Sequence, residues 1–276
     1  GNTGIAFCSL GAMYEHPVHI FMPEWMTLER KQMIKKYGAI LHEVTCEQGG
    51  FEGAVKLADQ LALEIGGFRP QQFSNLYNVD AHYKTTGLEI CTQLGKLGVE
   101  PDGFVAGVGT GGTIMCVRKR LIKCHPELKV FPLEPYQSPT MSKGTKGANH
   151  RIQGIGDGFI PEIVKLDILD EVMVVHDGDA ILMAQLLAKK LGLGVGISSG
   201  SNFLGAVMIQ NKYGKDFNVV TVFSDDSKKY LSSDLLNEEP IKPEYITPNI
   251  KLIDMDGECI CDTRIIQGTC FKQYGV

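Results

Sequence analysis

The residues best suited to chemistry lie in one glycine-rich segment, Gly107-Val108-Gly109-Thr110-Gly111-Gly112-Thr113. It leaves an apolar run, Phe104 to Val108, and enters an amphipathic one from about Thr113 to Lys123. At such a strand-to-helix junction, free backbone amides and the helix dipole favour an anion. Glycines let the backbone close around a phosphate, and Thr110 and Thr113 add hydroxyl donors. On these residues alone the segment is either a site for a phosphate-bearing ligand or a tight structural turn. It lacks the lysine of a Walker loop, and its spacing is not the dinucleotide fingerprint of an opening βαβ unit. Other polar residues are ambiguous one at a time. Asn2 and Ser198 read as helix caps, and Gln72 as a surface amide. Cys259-x-Cys261 with Cys270 falls short of a four-ligand zinc set, so no metal is expected.

Elements that could position these residues follow from the hydrophobic pattern. Short β-branched runs alternate with amphipathic stretches, which predicts an α/β chain with mostly parallel sheets. The first half reads as a helix over 3–14, a strand over 18–22, a helix over 27–37, a strand over 40–44 and a helix over 51–65. Gly38 is the expected C-terminal cap of the second helix. Gly66-Gly67-Phe68-Arg69-Pro70 then breaks the pattern. The second half gives strands over 104–108, 128–133, 172–176 and 219–223, with helices over about 113–123 and over 179–191. From 237 the composition shifts to a proline-bearing tail, read as packed on the main body or on a partner subunit. These breaks predict a smaller subdomain over 1–75, a larger one over 76–236 and a tail over 237–276.

Bulk properties narrow the function. Of 276 residues, 43% are hydrophobic and 21% charged, as in an ordinary globular protein. A net charge of -5 supplies no basic footprint for nucleic acid. No apolar run approaches the roughly 20 residues that cross a bilayer, and no secretory leader is visible. Eight scattered cysteines then read as reduced thiols in a cytoplasmic protein.

Six segments occur in an order known from one family: Gly1-Asn2-Thr3-Gly4-Ile5-Ala6, Gln71-Gln72-Phe73-Ser74-Asn75, Lys84-Thr85-Thr86-Gly87, the Gly107–Thr113 loop, Gln153-Gly154-Ile155-Gly156-Asp157-Gly158-Phe159, and Gly196-Ile197-Ser198-Ser199-Gly200. Through them, residues 1 to about 236 resemble the cysteine synthase and cystathionine β-synthase family of fold-type II pyridoxal-phosphate (PLP) enzymes. The resemblance implies a fold like the tryptophan synthase β-subunit, a homodimer, a small amino-acid substrate, and β-replacement through an aminoacrylate intermediate. It also implies roles. Gly109, Thr110, Gly111, Gly112 and Thr113 would hold the PLP phosphate, and Asn2 the ring hydroxyl. Gly1, Thr3, Gln72 and Gly154 would bind substrate, and Ser198 would face the pyridine nitrogen. A hydroxyl there makes the ring a weaker electron sink than an aspartate would, which favours β-elimination. The family's Schiff-base lysine lies upstream of the Gly1–Gly4 loop in a Ser-x-Lys-Asp-Arg-type segment, which this chain does not contain. Lys84 belongs to a different motif, so an earlier piece carrying the lysine is expected.

One position separates activities within the family. Sulfide-using members carry a small residue where this chain has Asp157. Hydrosulfide is already anionic and would be repelled by a carboxylate. Water needs a proton acceptor, and a positioned base is worth about 10²–10⁴-fold. Partial desolvation would raise the carboxyl pKa toward a useful range. The expected reaction is L-cysteine plus water giving L-serine and hydrogen sulfide, with Asp157 as base. In this the chain resembles the fusobacterial cysteine hydroxyl-lyases of the family. The competing readings are an O-acetylserine sulfhydrylase, a thiol-adding lanthionine or cystathionine synthase, and a non-catalytic partner-binding protein on the same fold. Asp157 as a mere loop cap, or as the partner of a nearby Arg or Lys, is the structural alternative.

Overall fold

A computed structural model describes residues 1–145, 147–252 and 255. Two parallel sheets organise the chain, as the alternation of apolar runs requires. In the first sheet β1 (His19–Pro23) pairs with β2 (Ile40–Val44), from His19 opposite Ile40 to Pro23 opposite Val44. Around it lie α1 (Asn2–Met13), α2 (Leu28–Lys36) and α3 (Gly50–Ile65), and Ile5, Cys8, Met22, Met26 and Ile34 form its core. Helix α2 follows ordinary charge rules, with Glu29 in its first turn and Lys35 and Lys36 in its last. Gly38, just beyond it, is left-handed, as expected of a residue that ends a helix.

The second sheet has four strands in the order β5 (Met173–Val175), β4 (Lys129–Pro135), β3 (Gly103–Gly107) and β6 (Val219–Thr221). Both faces are covered, so its central strands are mostly apolar; Phe104, Val105, Phe131 and Leu133 are fully buried. On one face α4 (Tyr77–Lys84), α5 (Thr86–Leu97) and α6 (Gly112–Leu121) surround a core that includes Phe104, Ile114 and Leu121. On the other, α8 (Asp177–Leu191) and α9 (Ile197–Tyr213) bury Val105, Leu133, Ile181 and Leu204. A short helix, α7 (Thr140–Lys143), follows β4.

Besides the single-turn α7, three helices, α4, α5 and α9, have no counterpart in the sequence reading. The first two meet at Thr85 inside the Lys84-Thr85-Thr86-Gly87 segment. Helix α9 is buried on all sides of its first turns, where Ser198, Ser199, Ser201 and Asn202 join Ile197, so one-sided periodicity is absent. The described part of the tail packs on the main body: Ile246, Ile250 and Leu252 lie against the α8/α9 core, and Asp179 accepts the Ile246 and Thr247 amides at 2.9 and 3.0 Å. No helix among the described residues is long and apolar enough to cross a membrane.

Candidate functional site

The glycine segment turns between the end of β3 and the start of α6. Gly111 caps α6 with φ of 85°, and a side chain there would strike Val164. A Cβ at Gly109 would strike the Gly154 carbonyl oxygen, so the 109–113 and 153–157 loops approach backbone to backbone. No side chain caps α6. Its first helical bond runs from the Met115 amide to the Gly111 carbonyl at 3.1 Å, and the Gly112 amide turns to Thr110 Oγ1 at 3.2 Å. The other amides of that turn project from the helix end, the arrangement that takes a phosphate.

Asn78, which the sequence reading missed, ties this loop to its neighbour. Its Nδ2 donates to the Gln72 carbonyl and to Thr110 Oγ1, both at 2.9 Å. Gln72 Oε1 is buried without a partner, so this amide has bonding capacity to offer a ligand. On the other side of the loop Thr113 Oγ1 lies 3.5 Å from His82 Nε2, while His82 Nδ1 meets Thr86 Oγ1 at 2.9 Å. Burial lowers the His82 pKa, which favours a neutral ring beside the phosphate loop.

Asn2 opens α1, and its Nδ2 donates to Asp225 Oδ2 at 2.9 Å. The Tyr230 hydroxyl donates to the same oxygen at 2.9 Å; burial, the largest cause, pushes its pKa up and keeps it a donor. Arg30 completes the support from α2. It is 2% exposed, its guanidinium lies 4.5 Å from the Tyr230 ring centroid, and its Nη2 lies 3.9 Å from Asp225 Oδ2. Nη1 donates to Thr27 Oγ1 at 2.9 Å, Gln153 Oε1 at 2.7 Å and the Lys229 carbonyl at 3.2 Å. Asp225 could have been suspected from an acidic pair just beyond a strand's carboxyl end, where α/β sheets place ligands. Arg30 gives no such signal, because α2 is charged along most of its length.

Every residue assigned a role from the sequence, from Gly1 through Ser198, lines a single cleft of about 1280 Å³. Ser198 is buried in the first turn of α9. Asp157 is partly buried on the loop that meets Gly109, and makes no hydrogen bond or ion pair among the described residues. Desolvation raises its pKa, with His150 as an opposing influence. Lys84 lies elsewhere, exposed on α4 and paired with Asp80 at 2.6 Å. No lysine lines the cleft among the described residues. These observations fit a pyridoxal-phosphate site: an uncapped helix end for the phosphate, and neutral polar groups around the space for ring and substrate. No group of metal-ligating residues occurs among the described residues, and Cys259, Cys261 and Cys270 lie outside them.

Comparison with known proteins agrees with this geometry. Residues 1–225 match the family described as pyridoxal-phosphate dependent enzyme. Cysteine synthase B of Campylobacter jejuni is 43% identical over 236 residues, covering 85% of this chain and 77% of the relative. Cysteine synthase of Staphylococcus aureus is 40% identical over 235 residues, covering 85% and 74%. The crystal structure of a hydrogen sulfide-producing enzyme from Fusobacterium nucleatum superposes with a TM-score of 0.89 at 53% identity, covering 93% of this chain and 77% of that one. An aspartate-to-asparagine mutant of that enzyme, complexed with its α-aminoacrylate intermediate, gives a TM-score of 0.91 at the same identity and coverage.

Proposed function

Because the chain belongs to the pyridoxal-phosphate dependent enzyme family, we propose that it converts L-cysteine and water into L-serine and hydrogen sulfide, with Asp157 as the base that activates the water. Family membership makes it a PLP-dependent enzyme rather than a non-catalytic protein on the same fold. The coenzyme, when bound, supplies the electron sink that lets one β-substituent leave and another add.

The chain's own residues do the rest. The free amides of the Gly109–Thr113 loop, with the hydroxyls of Thr110 and Thr113, would hold the phosphate. Asn2, fixed through one amide hydrogen by Asp225, would have the other to give to the coenzyme's ring oxygen. Ser198 would meet the ring nitrogen, where a hydroxyl supplies no full charge. The Gly1 and Thr3 backbone, Gln72 and Gly154 orient the substrate. The 1–75 part closes over the carboxylate, and closure must leave room for one water. We assign the enzyme to the cytosol, as a homodimer.

The observation that carries water over sulfide is the state of Asp157. It lines the cleft, is partly buried, and has no cation, amide or hydroxyl bound to it among the described residues. That counts against a loop cap or a structural ion pair. A desolvated carboxylate held there repels hydrosulfide, yet accepts a proton from water. The second reading, cysteine synthase, rests on the named relatives. Holoenzyme given L-cysteine alone should yield serine and sulfide in equal amounts. Little serine from cysteine, beside rapid cysteine formation from O-acetylserine and sulfide, would decide for the second reading.

A further inference from the structure

The amide of Asn2 can stand in the cleft two ways round, and its neighbours admit only one. Its Nδ2 lies 2.9 Å from Asp225 Oδ2, to which it donates. Turned over, the amide would set its own carbonyl oxygen against the carboxylate, two acceptors with no hydrogen between them. The Tyr230 hydroxyl cannot relieve that clash, because it donates to the same Oδ2 at 2.9 Å. The direction of Asn2 is therefore imposed by Asp225.

Asp225 is itself held in place. Its side chain is 3% exposed, and Arg30 Nη2 stands 3.9 Å from Oδ2, balancing its charge. The other oxygen, Oδ1, is buried without a partner and packs toward Gly196, where a Cβ would lie only 2.2 Å from it. Glycine at 196 thus leaves the carboxylate the space it occupies. The Gly196 amide also donates to the Asp225 carbonyl oxygen at 3.1 Å, which fixes the backbone on that side.

What remains on Asn2 Nδ2 for a ligand is its second N–H, a donor. A donor favours a ring oxygen that has given its proton to solvent, whereas an acceptor would favour one that has kept it. We propose that Asp225 is a positioning residue that favours the ionised form of the coenzyme's ring oxygen, acting through the Asn2 amide. The reading rests on Asn2 meeting that oxygen. The ring O–H releases its proton to solvent, the Asn2 N–H meets the oxygen left behind, and no oxidant or reductant enters. Because Arg30 offsets the charge of Asp225, the carboxylate directs the amide without setting an unbalanced negative charge behind an ionised oxygen.

The test follows the absorption spectrum of the holoenzyme across pH without substrate, since ionised and protonated ring oxygens absorb at different wavelengths. Asp225→Ala frees the Asn2 amide. It is expected to raise the midpoint of ring-oxygen ionisation by about one pH unit or more, the tenfold worth of a hydrogen bond to a charged group. Asp225→Asn puts an amide oxygen in the same place and is expected to keep the midpoint near the parent's. Asp225→Ala also leaves Arg30 unpaired, so Gly196→Ala is measured beside it. That variant pushes the carboxylate aside with both charges kept, and should raise the midpoint too. A midpoint unmoved in either variant, or raised as far in Asp225→Asn as in Asp225→Ala, would overturn the assignment. Asn2→Ala separates the two claims. If it leaves the midpoint unchanged, the contact between Asn2 and the ring oxygen is what fails. If it raises the midpoint and Asp225→Ala then adds its full effect on top, only the part given to Asp225 fails.

Discussion

Asp157→Asn is expected to lower serine formation from cysteine by about 10²–10⁴-fold, the contribution of a positioned base. The asparagine has nearly the same shape and still lines the cleft, so coenzyme binding should persist. What it loses is the ability to take a proton from water. A thiolate nucleophile needs no such acceptor, and removal of the negative charge lessens its repulsion. With cysteine and a second thiol both present, products should therefore shift from serine to thioether. Because desolvation raises the Asp157 pKa, the acid limb of serine formation should lie above the ordinary carboxylate range in the parent. That limb should vanish in the variant. Product analysis across pH measures both effects, and undiminished serine output would remove Asp157 from the mechanism.

Arg30→Met is expected to destabilise the protein by about 3–5 kcal/mol, the usual effect of leaving buried charge without its partner. Arg30 and Asp225 are 2% and 3% exposed, so solvent cannot replace the lost contact. The substitution also removes the donor to Gln153 Oε1, Thr27 Oγ1 and the Lys229 carbonyl, and the cation over the Tyr230 ring. Each is a polar or polarised group that burial makes costly to leave unmet. Through Asp225 the loss reaches Asn2, and through Gln153 it reaches the Asp157 loop. Coenzyme affinity should therefore fall together with stability. Arg30→Lys keeps the charge without the planar fork and should lie between. Thermal unfolding of the holoenzyme is expected to shift by on the order of 10 °C for Met. A shift below a few degrees would mean that packing alone holds α2 to the 225–230 segment.

Much of this arrangement was legible in the chain because its signals are local. All six strands and the helices α1, α2, α3, α6 and α8 follow from the alternation of short apolar runs with amphipathic stretches, and β1 and β2 match to within a residue. The phosphate loop is legible for the same reason, since its glycines answer a strand-to-helix turn and a close backbone approach. Helix α9 was not, because burial around its first turns erases one-sided periodicity, and α4 and α5 were missed at the small polar residues where they meet, although Ile90, Cys91 and Leu94 give α5 an apolar face. The supports of the site were hidden for a different cause. Asn78 acts on Gln72 and Thr110, and Arg30 on Gln153 and Asp225, across separations that composition cannot reveal. Sequence names the groups that meet a ligand; the shell that holds them appears only when the chain is folded.

The identity of the incoming nucleophile is read most directly from oxygen. Holoenzyme turning over L-cysteine in heavy-oxygen water should place one labelled atom in the serine hydroxyl and release sulfide in equal amount. Serine that stays unlabelled, or sulfide released without serine, would contradict a water held and activated by Asp157.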